Sequence, residues 1–197
     1  MIKFWWVRHA PVIGNKNRCY GNNEVECDVS DAISFDKLVS LLPKKTYVYT
    51  SNLSRTIKTF KAAVERGFTY KHHIKDYRLN EQNLGDYTGM QYEALEYLMK
   101  KKNIYDKNWL MNYKHSPPNG ESFEKLYERI CNFIDDVLIN HNKNTDLVIF
   151  SHGGPIRAAI SYALNYNLEN IIPLDIKNTK VSLLEYDENN NARMIYL

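Results

Sequence analysis

Apolar residues of this chain gather in three short runs, each ending abruptly at polar or charged residues. The runs are Ile2 to Val7, Tyr47 to Thr50 and Leu147 to Phe150. Short runs of β-branched and aromatic residues are typical of strands buried on both faces of a sheet. We therefore predict three core strands.

The segments between these strands have the apolar periodicity of helices. Apolar residues recur on one helical face in Phe35 to Leu42, in Leu53 to Val64 and, most regularly, in Phe123 to Leu138. Strands that alternate with helices indicate crossover connections and a mostly parallel sheet. The pattern predicts an α/β fold.

Two further features complete the predicted organisation. Val181 to Tyr186 and Ala192 to Leu197 flank the turn Asn189 to Asn191, which predicts a terminal hairpin and hence one antiparallel strand. Residues 103–119 have no sustained period, and such segments often form a flap or cap. We expect a single domain over residues 1–197, with a cap-like segment around 90–119.

Composition narrows the class of protein. With 26 Lys plus Arg against 23 Asp plus Glu the formal charge is only +3, which disfavours nucleic-acid binding. No apolar stretch approaches the length of a membrane span, so we expect no membrane partner. Three cysteines form no Cys-x-x-Cys pair, which favours a reducing cytoplasm.

Cationic residues follow the predicted strands. The first strand ends in Arg8 and His9, the second leads into a helix that bears Arg55, and the third ends in His152 before Gly153-Gly154-Pro155, a helix start with Pro first. The carboxyl ends of parallel strands share one edge of the sheet, where ligands bind. Buried cations are costly unless an anion fills the pocket, and phosphate suits guanidinium groups best.

Other ligand motifs are missing or weak in this sequence. It has no phosphate-binding loop with Gly-Lys-Ser/Thr, no Gly-x-Gly-x-x-Gly and no His-Glu-x-x-His helix. His72 and His73, with Asp76, are the only cluster that suggests a metal, but adjacent side chains on a strand point to opposite faces. A polar strand edge is the favoured interpretation, and no metal or cofactor is predicted.

A phosphate pocket becomes a phosphatase site when it supplies a nucleophile and a proton donor. A neutral histidine can attack phosphorus and form a phosphoramidate, which divides one difficult step into two easier ones. The leaving alkoxide needs a carboxyl group that keeps its proton, through burial or through the charge of the phosphate. The candidate carboxyl lies in residues 79–89.

Five separated motifs resemble the histidine phosphatase (phosphoglycerate mutase-like) superfamily. In chain order they are Val7-Arg8-His9, Ser51 to Thr56, Leu79-Asn80-Glu81 with Gly85 to Gly89, Pro118 to Ser122, and Ser151 to Gly154. The resemblance covers nearly the whole chain. It implies a three-layer α/β/α fold with a mostly parallel central sheet and one antiparallel strand.

The same resemblance implies roles for individual residues. His9 would be the transiently phosphorylated nucleophile, Glu81 the proton donor, and Arg8, Arg55 and a protonated His152 the groups that hold the phosphoryl oxygens. Two further phosphate contacts are implied at positions that match the family's motifs, Asn15 and the backbone of Gly153.

The sequence also indicates which branch of the family it resembles. Ala10-Pro11-Val12 replaces the usual Gly-Glu-Thr after Arg8-His9, and Cys19-Tyr20-Gly21 follows, as in α-ribazole phosphatase-like proteins. The chain is shorter than the glycolytic mutases, which favours a phosphatase. The predicted substrate is a small phosphorylated metabolite, for example α-ribazole 5′-phosphate or a sugar phosphate. A mutase, a phosphoprotein phosphatase and a non-catalytic phosphate-binding module stay open as alternatives, as does a dimer.

Overall fold

The structure is a computed structural model that describes residues 1–15, 17–107 and 111–196. Its centre is a six-stranded sheet with the strand order β3-β2-β4-β1-β5-β6. The strands are β1 Ile2–Arg8, β2 Thr46–Thr50, β3 Tyr70–Lys75, β4 Thr145–Ser151, β5 Val181–Tyr186 and β6 Ala192–Tyr196.

The three predicted core strands are neighbours in the middle of this sheet. β4 pairs in parallel with both β1 and β2, so Arg8 lies opposite Ser151 and Thr50 lies opposite Phe150. β5 runs antiparallel to β1 and to β6. The predicted sheet, mostly parallel with one antiparallel strand, is confirmed, and the last residue of the predicted hairpin, Leu197, lies outside the described residues.

Six helices connect the strands or flank them in the described part of the chain. They are α1 Ala32–Leu41, α2 Ser54–Glu65, α3 Tyr92–Lys101, α4 Phe123–Asn140, α5 Gly153–Leu164 and α6 Leu168–Ile171. Two short 3₁₀ turns, Tyr77–Leu79 and Gly85–Tyr87, interrupt the connection between β3 and α3.

The sheet is covered on both faces because its central strands are apolar on both faces. On β1, Phe4 and Trp6 pack with α4, α5 and α6, whereas Trp5 and Val7 face the cluster formed with α1 and α2. Side chains of successive strand residues point to opposite faces, so one continuous apolar run serves two cores. The three-layer α/β/α architecture is confirmed.

A smaller apolar cluster lies beside the carboxyl ends of the strands. It joins Cys19, Leu84 and Tyr87 to Leu95 and Met99 of α3. The periodicity of the sequence does not predict α3, because its buried apolar residues, Leu95 and Met99, face only this small cluster while its other side carries exposed charges such as Lys100. The short cluster gives a weaker periodic signal than the helices that cover the sheet.

One detail of the predicted helix starts is wrong. Pro155 is the third residue of α5 and not the first, because His152 is its N-cap. Proline is tolerated there because the first four N–H groups of a helix have no partner within it. The N–H groups of Gly153 and Gly154, in the first turn of the helix, therefore have no partner within it.

Among the described residues, no helix is both long enough and apolar enough to cross a membrane.

We predict that the core between the sheet and α4 dominates stability. Phe133 is fully buried against Trp6 and Tyr49, so Phe133→Ala should lower the free energy of unfolding by about 3–5 kcal/mol in urea titrations. Ile33→Ala on α1 is the control, because Ile33 is 68% exposed and should cost less than about 0.5 kcal/mol. Similar losses for both variants would contradict this assignment of the core.

Candidate active site

The carboxyl ends of β1, β2 and β4 bring the predicted cationic residues to one edge of the sheet. His9 follows β1 and donates its backbone N–H to the carbonyl of Ser151 at 3.0 Å, and Ser51 makes the same kind of bond to Phe150 at 3.2 Å. His152 follows β4 directly. The rings of His9 and His152 are 5.1 Å apart between centroids, so the predicted convergence is present.

His9 is held in one orientation and one tautomer. Its side chain is 1% exposed, and Nδ1 lies 2.7 Å from the carbonyl oxygen of Ala10, which can only accept. Nε2 is buried and has no hydrogen-bond partner. Burial, followed by the charge of Arg55, lowers the pKa of His9 from 6.5 to about 3. The imidazole is therefore neutral, with its lone pair on Nε2.

His152 is also neutral, for a related reason. It is fully buried, and Nε of Arg55 donates to its Nδ1 at 3.1 Å while its Nε2 lies 2.8 Å from Oγ of Ser51. Burial and the charge of Arg55 hold the pKa of His152 well below its ordinary value. The expected protonated His152 is thus not what this geometry gives, because a guanidinium N–H already occupies the nitrogen that would take the proton.

Arg55 is a fully buried cation. Besides its bond to His152, it donates from the terminal nitrogens to the carbonyls of Asn23 at 2.7 Å and Gly21 at 2.8 Å, and its Cζ lies 5.3 Å from the ring centroid of Tyr20. No carboxylate within the described ranges forms an ion pair with it. A buried charge that is not paired is costly, so the site is prepared for an anion.

Arg8 adds a second guanidinium at the cavity surface. One terminal nitrogen donates to the carbonyl of Ile176, while Nε is buried and has no partner. Both Nε and Cζ lie 3.8 Å from the point where a Cβ on Gly153 would sit. The group therefore lies against the N-terminus of α5, where helix N–H groups favour an anion.

The carboxyl group of Glu81 approaches the same helix end. Oε2 accepts from the backbone N–H of Gly154 at 3.4 Å, and Oε1 accepts from that of Gln82 at 3.0 Å. A Cβ on residue 154 would collide with Oε1 of Glu81. Glycine is required at position 154 for this approach.

The loop that carries Glu81 is supported by an ion pair. Arg129 on α4 binds the carboxylate of Glu121 at 2.7 Å and donates to the carbonyl of Glu81 at 3.3 Å. Glu121 also accepts from the backbone N–H of Asn83 at 3.0 Å. The motif Pro118 to Ser122 therefore holds the Glu81 loop in place.

A cavity of about 180 Å³ opens beside these groups. Its lining includes Arg8, Glu81, Gly153 and Gly154, together with six mostly apolar and aromatic residues: Cys19, Tyr20, Leu84, Tyr92, Phe123 and Ile172. Its volume is below the roughly 300–1,000 Å³ of sites for drug-sized ligands. The cavity fits a small molecule.

Sequence reasoning missed two residues of this site. Arg157 also lines the cavity, and its spacing of four residues after Gly153 on α5, which puts both on one helix face, was the available signal. Asn178 donates from Nδ2 to the carbonyl of His9 at 2.7 Å. No local pattern indicates Asn178, because only the fold brings residues 169 positions apart together.

Not every predicted site residue lines the cavity. Arg8, Glu81 and Gly153 do, whereas the buried His9, Arg55 and His152 are not part of the lining. Asn15 is half-buried and does not line the cavity either. Among the aromatic residues near the irregular segment, Tyr92 lines the cavity, whereas Tyr97 is 70% exposed. Trp109 of that segment lies outside the described residues.

The side chains of His72 and His73 on β3 contact different partners and do not form one site. His73 binds Oγ1 of Thr50 through Nε2 at 2.9 Å, and His72 stacks on Tyr47 on another side of the strand. The carboxylate of Asp76 is occupied by Arg78 at 2.7 Å. Within residues 1–15, 17–107 and 111–196, no three His, Cys, Asp or Glu side chains gather as metal ligands.

Comparison with known families agrees with this fold. The model of the histidine phosphatase superfamily (branch 1) matches residues 4–194. The chain belongs to this superfamily, as its motifs predict.

The similar proteins include some that are named as mutases and some that are named as phosphatases. A 2,3-bisphosphoglycerate-dependent phosphoglycerate mutase of Buchnera aphidicola is 28% identical over 220 residues, covering 96% of each chain. Among solved structures, Bacillus stearothermophilus YhfR matches with a TM-score of 0.84 at 19% identity, covering 100% of this chain and 96% of the other. The α-ribazole phosphatase of Shigella flexneri gives 0.78 at 22% identity, with 99% and 95% coverage.

The pKa of His9 predicts a pH dependence of stability. Unfolded His9 takes up a proton near pH 6.5, whereas the folded residue stays neutral to about pH 3. Between these pH values the unfolded state binds more protons, so the free energy of unfolding decreases as the pH is lowered. From about pH 7.5 to about pH 5, His9 should account for a loss of about 2 kcal/mol. Urea titrations of wild type and His9→Gln at both pH values measure this loss.

His9→Gln should lose about 2 kcal/mol less than the wild type over that interval, because glutamine does not titrate. Identical losses in the two proteins would contradict a neutral, buried His9. Unfolding midpoints at about pH 7.5 control for any general effect of the substitution.

Proposed function

We propose that this protein is a metal-independent phosphomonoester hydrolase that acts through a phosphohistidine intermediate. The observation that carries the proposal is the buried, unpartnered Nε2 of neutral His9 beside the unpaired guanidinium groups of Arg8 and Arg55. Membership of the histidine phosphatase superfamily supports it. The guanidinium groups supply the positive charge that a metal ion supplies in other phosphatases.

In the first step, the Nε2 lone pair of His9 attacks phosphorus while the bond from phosphorus to the ester oxygen breaks. The hydrogen bond from Nδ1 to Ala10 keeps the attacking nitrogen unprotonated and stabilises the positive charge that develops on the ring. Asn178 fixes the backbone of His9 from the other side. The nucleophile is therefore oriented before the substrate binds.

Glu81 gives its proton to the departing alkoxide. Its carboxyl group lies at the N-terminus of α5, on the same side of the cavity as Arg8. In the second step, Glu81 as a carboxylate takes a proton from the water that attacks phospho-His9. The bond from nitrogen to phosphorus then breaks, inorganic phosphate leaves, and His9 and Glu81 return to their starting forms.

Several groups hold the phosphoryl oxygens in this scheme. Arg8 and Arg55 donate charge-assisted hydrogen bonds, and the N–H of Gly153 adds the end of a helix. The negative charge of the phosphoryl group would favour a proton on His152, which would convert it to a cationic donor. Asn15 is a further proposed contact, through its side-chain amide, because its position matches the family's motif.

The substrate that we propose is a small phosphorylated metabolite, such as α-ribazole 5′-phosphate or a sugar phosphate. The small cavity with its mixed polar and aromatic lining supports this choice. We propose neither a nucleic-acid nor a membrane partner. Three free cysteines, Cys19, Cys27 and Cys131, support a cytoplasmic location.

A mutase is the second candidate, because relatives such as the protein of Buchnera aphidicola carry that name. The first step is shared, and the phosphoryl group of His9 then moves to a substrate hydroxyl instead of water. Transfer of labelled phosphate to a second alcohol, with little free phosphate formed, would favour the mutase.

We predict that His9→Ala abolishes turnover of p-nitrophenyl phosphate and prevents labelling of the protein. Wild type should hydrolyse this ester with excess chelator present and carry acid-labile phosphate after rapid quenching. Loss of the nucleophile should lower the rate by at least about 1,000-fold. Release of p-nitrophenol and phosphate bound to the protein are the two measurements.

His72→Ala is the matched control, since His72 is exposed on the edge strand and should keep both activity and labelling. Turnover that the chelator abolishes would overturn the metal-independent mechanism. An inactive wild type that binds phosphate tightly would favour a binding module instead.

We also predict that Glu81→Gln slows substrates with poor leaving groups most. An alkyl phosphate needs a proton on its alkoxide, so its turnover should fall about 100-fold or more, whereas p-nitrophenyl phosphate should lose less than about tenfold. Gly154→Ala should show the same pattern, because its methyl group displaces the Glu81 carboxylate. Steady-state kinetics on both esters measures the ratio.

Glu96→Gln is the control for Glu81→Gln. Glu96 lies on α3 in an exposed pair with Lys100 and should not alter the ratio. Equal losses on both esters in the Glu81 variant would remove the proton-donor role.

A further inference from the structure

The peptide group between His9 and Ala10 is held at both of its polar atoms. Its carbonyl oxygen, which belongs to His9, accepts from Nδ2 of Asn178 at 2.7 Å. Its N–H, which belongs to Ala10, donates to Oγ1 of Thr59 at 2.8 Å. The C=O and N–H of a planar trans peptide point in opposite directions. Asn178 and Thr59 therefore form a clamp that holds this peptide from opposite sides.

The clamped peptide lies next to the hydrogen bond that sets the tautomer of His9. Nδ1 of His9 lies 2.7 Å from the carbonyl oxygen of Ala10, the residue that follows this peptide. The direction of that carbonyl depends on the orientation of the peptide before it and on the backbone angles of Ala10. Pro11 restricts those angles, because a residue before proline avoids the helical region. If the clamped peptide turned, the acceptor for the Nδ1 proton would therefore move.

Thr59 acts on this peptide only as an acceptor. It is fully buried on α2, and its hydroxyl donates to the carbonyl of Arg55 at 2.6 Å. The single hydroxyl proton is therefore used, and a lone pair remains for the N–H of Ala10. Valine at position 59 would keep the shape of the side chain but would leave that N–H without its acceptor. The hydroxyl thus joins the peptide after His9 to the backbone of α2.

The loop that carries Asn178 is fixed in a strained conformation. Thr179 is buried and its φ is 56°, in the left-handed region that a β-branched residue rarely adopts. Its N–H donates to the carbonyl of Arg8 at 3.0 Å, and its Oγ1 donates to the carbonyl of Asn178 at 2.7 Å. Strained backbone persists where the surrounding contacts impose it, and it is concentrated at functional sites. Here these contacts place Asn178 against the end of β1.

We propose that Asn178 and Thr59 are positioning residues that keep the proton of His9 on Nδ1 and its lone pair on Nε2. This inference rests on the proposed phosphatase function, in which that lone pair attacks phosphorus. Nε2 is buried without a hydrogen-bond partner among the described residues, so the hydrogen bond at Nδ1 selects the tautomer. Both side chains act through the backbone that carries this bond.

Nitrogen-15 NMR of the imidazole rings in the unliganded protein tests the proposal without turnover. Wild-type His9 should be protonated at Nδ1 only, with its signals assigned by their loss in His9→Gln. Asn178→Leu removes the donor and Thr59→Val removes the acceptor, so each should shift the His9 signals toward a mixture of both tautomers. Thr59→Ser keeps the hydroxyl and should keep the wild-type signals. Unchanged signals in either folded variant, or a wild-type His9 protonated at Nε2, would overturn the proposal.

Kinetics on p-nitrophenyl phosphate should show the same dependence. The ratio kcat/KM reports the formation of phospho-His9, and Asn178→Leu and Thr59→Val should each lower it about 10-fold, as expected for the loss of one hydrogen bond. The inhibition constant of inorganic phosphate should change less than about twofold, because the guanidinium groups of the site are unchanged. Equal losses in kcat/KM and in phosphate binding would overturn the positioning role.

The double variant tests whether Asn178 and Thr59 act on one peptide. Once one bond is lost the peptide is free to turn, so the double variant should lose little more than either single variant. Losses that multiply would contradict a shared clamp.

Asn140→Leu is the matched control for Asn178→Leu. Nδ2 of Asn140 also donates to a backbone carbonyl, that of Asp136 at 2.8 Å, but at the exposed end of α4. This variant should keep the tautomer and kcat/KM of the wild type. Urea titrations identify the variants that fold, and lower stability with an unchanged tautomer would assign Asn178 a purely structural role. If the wild type hydrolyses no ester, the proposed function fails, while the ring signals still decide whether the clamp sets the tautomer.

Discussion

The buried guanidinium of Arg55 is the charge around which the site is organised. No carboxylate in the described structure forms an ion pair with it. It donates hydrogen bonds to the carbonyls of Gly21 and Asn23 and to Nδ1 of His152. These bonds tie the loop after β1 to α2. Burial, followed by the charge of Arg55, lowers the pKa of both histidines. Burial and this uncompensated cation together keep His9 a neutral nucleophile, and the cation makes the site attractive to an anion.

Rigid elements and loops contribute different parts of the chemistry. The ends of β1 and β4 position His9 and His152, because parallel pairing aligns Arg8 with Ser151. Glu81 comes from a loop and reaches the same place only because the residue at 154 has no Cβ and because Arg129 holds the loop. The position of the nucleophile His9 thus follows from the sheet. The position of the proton donor Glu81 follows from packing of its loop against α4 and α5.

The site residues that sequence reasoning missed both depend on tertiary contacts. Arg157 and Asn178 belong to segments without a distinctive motif, and their relevance depends on which loop packs against α5 or β1. The helix α3 was missed because its apolar face covers a small cluster. The neutral form of His152 in the unliganded site follows from its burial and from an N–H of Arg55, a contact between residues 97 positions apart.

The sequence by itself determined the strands, their alternation with helices and the family, because buried strands and five motifs leave local patterns. It also determined that Arg8, His9, Arg55 and His152 would meet, since parallel strands end at one edge. Only the tertiary structure decided the tautomer of His9 and the neutral form of His152. Protonation and charge balance depend on burial and on distant partners, and a local stretch of sequence specifies neither burial nor those partners.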